Sequence, residues 1–355
     1  MFVPGLDLSR RYYQDVVEPL LRKHFGELPH TAARVGSGSE VLGFDTARSA
    51  DHEWGPRVQL FLQPADTARL ALDISAMFSA ELPKSFLGYP THFDSDQIGR
   101  MRLTDGPVRH RIEVTSLDAW FHERVGFDPR GSITVADWLA APTQRLLETT
   151  AGAVFHDGLG DFEAARAKLE WYPADVWRYV LACQWQRISQ EEAFVGRCGE
   201  VGDELGSAVV AARLVRDLMR LCLLMARRYP PYDKWLGSAF ARLPGDLGGD
   251  LAAALAATEW REREAHLARA YEVVGAHHNQ LGLTARVDPS TRNYHDRPFQ
   301  VLHAERFTAA LVESITDPVV RGLPVVGAVD QFVDNTDVLA HPARSHAATS
   351  GVVTG

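Results

Sequence analysis

RVGSGSEVLGFDTARSADHEWGPRVQLFLQP, residues 34–64, decides how the chain is read. Two Gly-Ser pairs, Gly36-Ser37 and Gly38-Ser39, open it. A polar loop follows, then Asp51 and Glu53 on alternate positions, then the apolar run Val58–Leu62. The apolar run predicts a strand. Successive side chains of a strand point to opposite faces, so Asp51 and Glu53 are expected to share one face with His52 on the other, about 7 Å apart along the chain. Two carboxylates converging at that spacing can hold one or two hard divalent ions, and magnesium favours a few carboxylates plus phosphate oxygens. Taken alone, Asp-x-Glu is equally the look of a solvated strand end. Gly36, Ser37, Gly38 and Ser39 lack bulk, so backbone N–H groups there can approach a phosphate closely.

Outward from this stretch, the chain predicts an α+β part followed by a mostly helical part. Leu8, Tyr12, Val16 and Leu20 recur every fourth residue and predict a helix over 7–25, with Pro19 as a kink. Residues 32–35 form a candidate strand leading into the Gly-Ser turn. Pro64 starts a helix with Leu70, Ile74, Met77, Phe78 and Leu82 on one face, ended by Pro83. Val108–Thr115 alternates apolar and polar residues, as a half-buried strand does, and puts Glu113 on its polar face, where a third carboxylate is needed. Ala153–Phe155 is a further strand candidate. From about residue 162 to 242 nearly everything reads as helix, and another helix covers 251–277. The expected domains are 1–150 and 151–339, with 340–355 a small, polar, flexible tail.

Composition bounds the function. The 355 residues carry a formal net charge of −9, which disfavours a protein that grips long nucleic acid by overall charge. Cys183, Cys198 and Cys222 form no CxxC and are odd in number, as expected in a reducing cytoplasm. The start has no signal-peptide pattern, and the longest apolar stretch, near 218–225, is broken by Arg220. The expectation is a cytoplasmic protein with no membrane partner. No HExxH, Walker-type GxxxxGK[ST] or strand-following GxGxxG occurs. Adjacent His277 and His278 point apart on a helix, so zinc is not expected. Trp171, Tyr172, Trp177 and Trp185 stand at helical spacing and read as core. Arg197, Asp203, Glu204, Ser207 and Arg213 read either as cleft floor or as caps and surface pairs, and Asp157 as a cap or as a substrate or hinge residue.

The order Gly-Ser, about a dozen residues, Asp-x-Glu, then a carboxylate on a later strand resembles the DNA-polymerase-beta-type nucleotidyltransferase superfamily. The Asp-x-Glu form and the helical second half are most similar to its kanamycin-nucleotidyltransferase branch. "RYPPYDKWLGSAF" and "RPFQVLHAERF" resemble an uncharacterised bacterial family within that branch, a domain of unknown function. The resemblance implies a nucleotidyltransferase domain with a mixed sheet and flanking helices, a helical domain closing over it, and a nucleotide in the cleft between.

It also implies roles. Asp51 and Glu53 would bind Mg2+ carrying ATP or another nucleoside triphosphate. Gly36, Ser37, Gly38 and Ser39 would hold the phosphates. Glu113 would bind a second metal or act as general base. Lys234, just before Trp235, would reach the triphosphate from the helical domain, though it also reads as a plain surface lysine, and Arg48 is another candidate. The reaction would move a nucleoside monophosphate, AMP most plausibly, to a hydroxyl acceptor and release pyrophosphate. The acidic balance favours a small-molecule acceptor over RNA or protein. Rival readings are an inactive nucleotide-binding module of the same fold, a helical scaffold with an incidental acidic strand, and γ-phosphoryl transfer or hydrolysis at the same site. The main reading requires Asp51, Glu53 and Glu113 to meet around one divalent-ion pocket.

Overall fold

The computed structural model describes residues 2–95, 99–245 and 247–354. The chain divides into two compact units, and both are discontinuous. The first comprises residues 1–133 and 145–170, the second 134–144 and 171–355. The chain thus crosses between units three times rather than once near residue 150.

A four-stranded mixed sheet forms the middle of the first unit. Its strands are β1 (Thr31–Arg34), β2 (Arg57–Leu62), β3 (Arg111–Ser116) and β4 (Ala153–Asp157). The spatial order is β3-β2-β1-β4. β1 pairs antiparallel with both β2 and β4, and β2 pairs parallel with β3. A parallel pair needs a crossover, and the helix predicted after Pro64 supplies much of it, spanning Pro64–Glu81.

Alternation along the strands sorts the two faces. Ala32, Val58, Leu60, Leu62 and Ile112 pack with Tyr12, Tyr13, Val17, Leu21, Ile74, Phe78 and Leu82 in one apolar cluster. Tyr12 comes from α1 (Gly5–Tyr12), Tyr13 and Val17 from the segment that follows it, Leu21 from α2 (Glu18–Phe25), and Ile74 and Phe78 from α3 (Pro64–Glu81), with Leu82 just past its end. The expected single helix over 7–25 is interrupted. Residues Tyr13–Val17 are π-helical, and the Glu18 N–H bonds Tyr13 O, five residues back. Pro19 is the physical reason: it has no N–H to donate to the carbonyl four back, and its ring crowds that turn.

The second face of the sheet runs from dry to charged along β2. Phe61 lies under Trp120 and Phe162, at ring-centroid distances of 5.6 and 4.9 Å. These rings come from α4 (Leu117–Val125) and α5 (Phe162–Lys168). Two residues back is Gln59, and two further is Arg57. In the parallel register Arg57 lies beside Arg111 and Gln59 beside Glu113. Glu113 and the two arginines that pair with Glu53 lie at this charged end.

The second unit is helical. Its main helices are α6 (Ala174–Glu191), α7 (Phe194–Glu200), α8 (Glu204–Met225), α9 (Asp233–Phe240), α10 (Leu247–Ala256), α11 (Trp260–Gln280) and α12 (Glu305–Ser314), with a small ladder pairing Arg292–Tyr294 and Arg297–Val301. The continuous helical reading of 162–242 is cut at Pro173, at Gly202-Asp203, where Asp203 Oδ1 caps the Gly206 N–H at 2.7 Å, and at Pro230-Pro231. Trp177 and Trp185 are buried, as expected of core residues. Residues 340–355, expected as a flexible tail, carry a helix over Pro342–Thr349 with Ser345, Thr349 and Val353 buried. Its small residues are what close packing needs, and composition alone cannot distinguish that from disorder. No helix among the described residues is long and apolar enough to cross a membrane.

Candidate functional site

The Gly-Ser turn leaves β1 and is held from beneath by a buried arginine. Arg34 is fully buried, and its Nε donates to Glu40 Oε1 at 2.8 Å. Its two terminal nitrogens donate to the carbonyls of Val35 and Ser37, each at 2.6 Å. A trans peptide points its C=O and the next N–H in opposite directions. With Ser37 C=O turned inward to Arg34, the Gly38 N–H faces away from that guanidinium. Gly38 C=O accepts from Val41 N and Leu42 N, which turns the Ser39 N–H away from them. Among the described residues, no protein acceptor meets the N–H groups of Ser37, Gly38 or Ser39.

Gly38 has φ +152°, and a Cβ there would come within 2.5 Å of Arg34 and 2.6 Å of Glu40. Only glycine fits. Glu40 Oε2 is buried with no hydrogen-bond partner.

Asp45 pins the following loop: its Oδ2 accepts from Gly5 N at 2.7 Å, at the start of α1, and from Trp54 Nε1 at 3.1 Å. A carboxylate at a helix N-terminus complements the dipole.

Asp51 and Glu53 are not on the strand. Asp51 ends a 3-10 turn, Ala47–Asp51, started by a Thr46 cap on Arg48 N, and Glu53 has a positive φ of 43°. The extended run begins only at Arg57, after Gly55-Pro56. The Asp51–Glu53 spacing therefore does not set a shared strand face.

Asp51 is exposed and its Oδ1 meets His52 Nδ1 at 2.7 Å. Residual desolvation raises the Asp51 carboxyl pKa, but the His52 hydrogen bond and charge and the nearby Arg48 outweigh it and hold it below the usual range. Arg48 itself is exposed on the same turn. Glu53 is ion-paired: Oε1 lies 3.2 Å from Arg111 and Oε2 3.9 Å from Arg57. Arg57 also donates to Glu53 O and stands 4.0 Å from Glu40. Its burial and the neighbouring Arg34 lower its pKa to about 10, so it stays charged at neutral pH.

Glu113 is half-buried on β3 and accepts from Gln59 Nε2 at 3.4 Å, while Gln59 Oε1 accepts from Val35 N at the base of the Gly-Ser turn. Arg111 and Glu113 share a strand face. The row thus runs Glu53, Arg111, Glu113, with an arginine between the two acids.

As a magnesium-ligand set the three carboxylates do not fit in this arrangement. Among the described residues no group of three or more His, Cys, Asp or Glu could hold a metal ion. Asp51 is engaged by His52, and Glu53 is neutralised by two arginines. Lys234 stands in the second unit, in the first turn of α9, exposed, with Nζ 5.0 Å from the Trp235 ring centroid. A cation–π contact of that kind on an exposed side chain is weak.

Sequence reading missed the arginines that organise the site. Arg34 and Glu40 flank the Gly-Ser turn, and Arg57 and Arg111 each open an apolar run. A basic residue at the mouth of a strand is a usable signal. Nothing in the sequence pairs Arg111 with Glu53, because that contact depends on the parallel register of β2 and β3.

These features define a mixed α/β protein with a glycine turn, buried arginines and carboxylates at one end of a small sheet. A model of a family described as a domain of unknown function (DUF4037) matches residues 138–236, which span parts of both units. No curated protein matches the chain.

Proposed function

We propose that the first unit binds a nucleoside triphosphate, ATP most plausibly, at the Gly36–Ser39 turn and transfers its nucleoside monophosphate to a hydroxyl, releasing pyrophosphate. One observation carries the reading. The turn's carbonyls are engaged from the protein side while three successive N–H groups are left without protein acceptors, beside a row of carboxylates and arginines. Backbone donors in a glycine turn suit phosphate oxygens. Ser37 and Ser39 hydroxyls add donors. Arg48, exposed on the turn before Asp51, is a candidate for a further phosphate contact.

Glu113 is the candidate base for the acceptor hydroxyl, since it is half-buried and its partner Gln59 is neutral. The substrate is taken to be the magnesium complex of the triphosphate. The chemistry assigned to the chain is limited to binding, orientation and proton transfer, because Asp51, Glu53 and Glu113 do not form a ligand set as they stand. A small-molecule acceptor suits the net charge better than RNA.

A second reading is favoured by the pairing of Glu53 with Arg57 and Arg111: a nucleotide-binding module that does no chemistry. Incubation with α-labelled ATP, magnesium and cell extract separates the two. Expected are a labelled acceptor and pyrophosphate, both lost in Glu113→Gln. ATP binding without pyrophosphate selects the second reading. Orthophosphate in its place indicates γ-transfer or hydrolysis.

A further inference from the structure

We infer that Arg124, with the indole N–H of Trp120, forms a phosphate subsite against Gly36, the first residue of the Gly-Ser turn. This rests on the proposed phosphate role of that turn. Gly36 has φ +82°, and a side chain placed there would lie 3.8 Å from the Arg124 guanidinium carbon, 3.9 Å from its Nε and 3.8 Å from the Trp120 ring. Both side chains come from α4, four residues apart, so they share one helix face. The guanidinium lies 5.9 Å from the Trp120 ring centroid.

Two buried donors meet here with nothing to donate to. Arg124 Nε and Trp120 Nε1 are both buried and have no hydrogen-bond partner. Trp120 is 1% exposed. Arg124 is ion-paired with Glu123, 3.8 Å away on a side chain that is 69% exposed. A solvated pair of that length neutralises little. Buried polar groups in folded proteins are nearly always satisfied, so two orphaned donors side by side call for an explanation. Both are N–H groups, one carries a full positive charge, and the adjoining turn adds N–H groups of its own. The complementary ligand has acceptors only and is anionic. A phosphate group meets this description, and a guanidinium presents the fork geometry that suits it.

This adds a cation for the triphosphate within the first unit, where the sequence pointed to the exposed Arg48 and to Lys234 of the second unit. The position is invisible to motif reading: Arg124 sits in the last turn of an ordinary helix, where a basic residue is already expected from the helix dipole.

The test measures calorimetric binding of ATP, inorganic triphosphate and adenosine to the full chain and to Arg124→Gln, Arg124→Lys and Arg69→Gln, the last an exposed control. Expected is a loss of at least tenfold in affinity for ATP and triphosphate in R124Q, a smaller loss in R124K, and no change in R69Q or for adenosine. The indole N–H resonance of Trp120, assigned with Trp120→Phe, should shift on adding triphosphate. If R124Q melts too low to titrate, R124K decides, since it keeps the stem and charge. Wild-type affinity in R124K, or in a folded R124Q, overturns the inference and leaves the nucleotide reading intact. Arg124-dependent triphosphate binding with no label transfer from ATP sustains the inference and removes the proposed reaction. Failure of the wild type to bind either phosphate compound overturns both.

Discussion

Charged side chains are buried in both units, but they are used differently. In the second unit they serve as cross-links. Asp330 Oδ2 accepts from Thr143 N and Arg220, each at 3.0 Å, and from the Thr143 hydroxyl. Glu192 clamps a loop, with its two oxygens accepting Leu302 N at 2.7 Å and Ala304 N at 3.0 Å. Arg263 ties Glu204, Ser207 and the Ala257 carbonyl together. These groups hold segments distant in sequence in one place. In the first unit, the charges under the Gly-Ser turn leave the N–H groups of Ser37 to Ser39 and the donors of Arg124 and Trp120 without protein partners. What separates the two regions is that the open donors of the first unit, the turn N–H groups and the Arg124 and Trp120 nitrogens, gather around Gly36–Ser39, as a site for an anion requires.

The comparison can be broken. The largest effect is expected from Arg220→Ala, which strands the Asp330 carboxylate. Breaking a buried pair typically costs about 3–5 kcal/mol. Melting and urea unfolding should show that loss, while the affinity of the folded protein for ATP stays unchanged. A loss of ATP affinity beyond the unfolded fraction would give the second unit's network a functional part.

Glu113→Gln should do the reverse. It removes the candidate base, and label transfer should fall by roughly 10²–10⁴-fold, the range for loss of a positioned proton acceptor. Glu113 is half-buried and its partner is the neutral Gln59 at 3.4 Å, so the melting temperature should hardly move. A variant with full activity would dismiss Glu113 as the base.

The third expectation concerns pH. Burial raises the Glu192 carboxyl from its usual 4.5 to about 7, despite its two amide bonds. Between those values the folded state holds more protons than the unfolded one. Stability should therefore be full below about pH 4.5 as far as this group is concerned, and decline as pH rises through 7, by up to about 3 kcal/mol. Glu192→Gln should flatten that slope in urea titrations at several pH values. Burial also raises Glu264 to about 7, so some slope of the same sign should persist. An unchanged slope in E192Q would move the linkage elsewhere.

Gly38→Ala should cost about 1–3 kcal/mol, since it combines a positive φ with a Cβ placed against Arg34 and Glu40. ATP affinity should drop with it. The smallest effect is expected from Lys234→Gln. An exposed lysine over its neighbour's ring is worth about 0.5–1 kcal/mol, so stability should barely change. A tenfold or greater loss of ATP affinity in that variant would restore Lys234 to the site.

The strands and their connecting helix were legible because burial imposes a period on them. Val58, Leu60 and Leu62 alternate, and Leu70, Ile74 and Phe78 recur at helical spacing, and all but Leu70 end up fully buried in one core. The Gly-Ser turn was legible because small residues after a strand are chemically distinctive. The reading failed at Asp51 and Glu53, where the strand was extended past its true start at Arg57. A Thr46 cap and the Gly55-Pro56 bend decide that backbone locally, and neither perturbs the hydrophobic pattern. It failed again at residues 342–349, because a polar helix packed by its small residues looks like a tail.

From the sequence alone came the elements, the glycine turn and the list of candidate acids, all of which are written in local spacing. Partnership came only with the folded chain. Which arginine neutralises Glu53, which residue of β2 stands beside Glu113, and which side chain backs Gly36 are set by strand register and by a helix returning more than eighty residues later. Contacts across such separations are fixed by the packing of the whole core, and no window of sequence contains them.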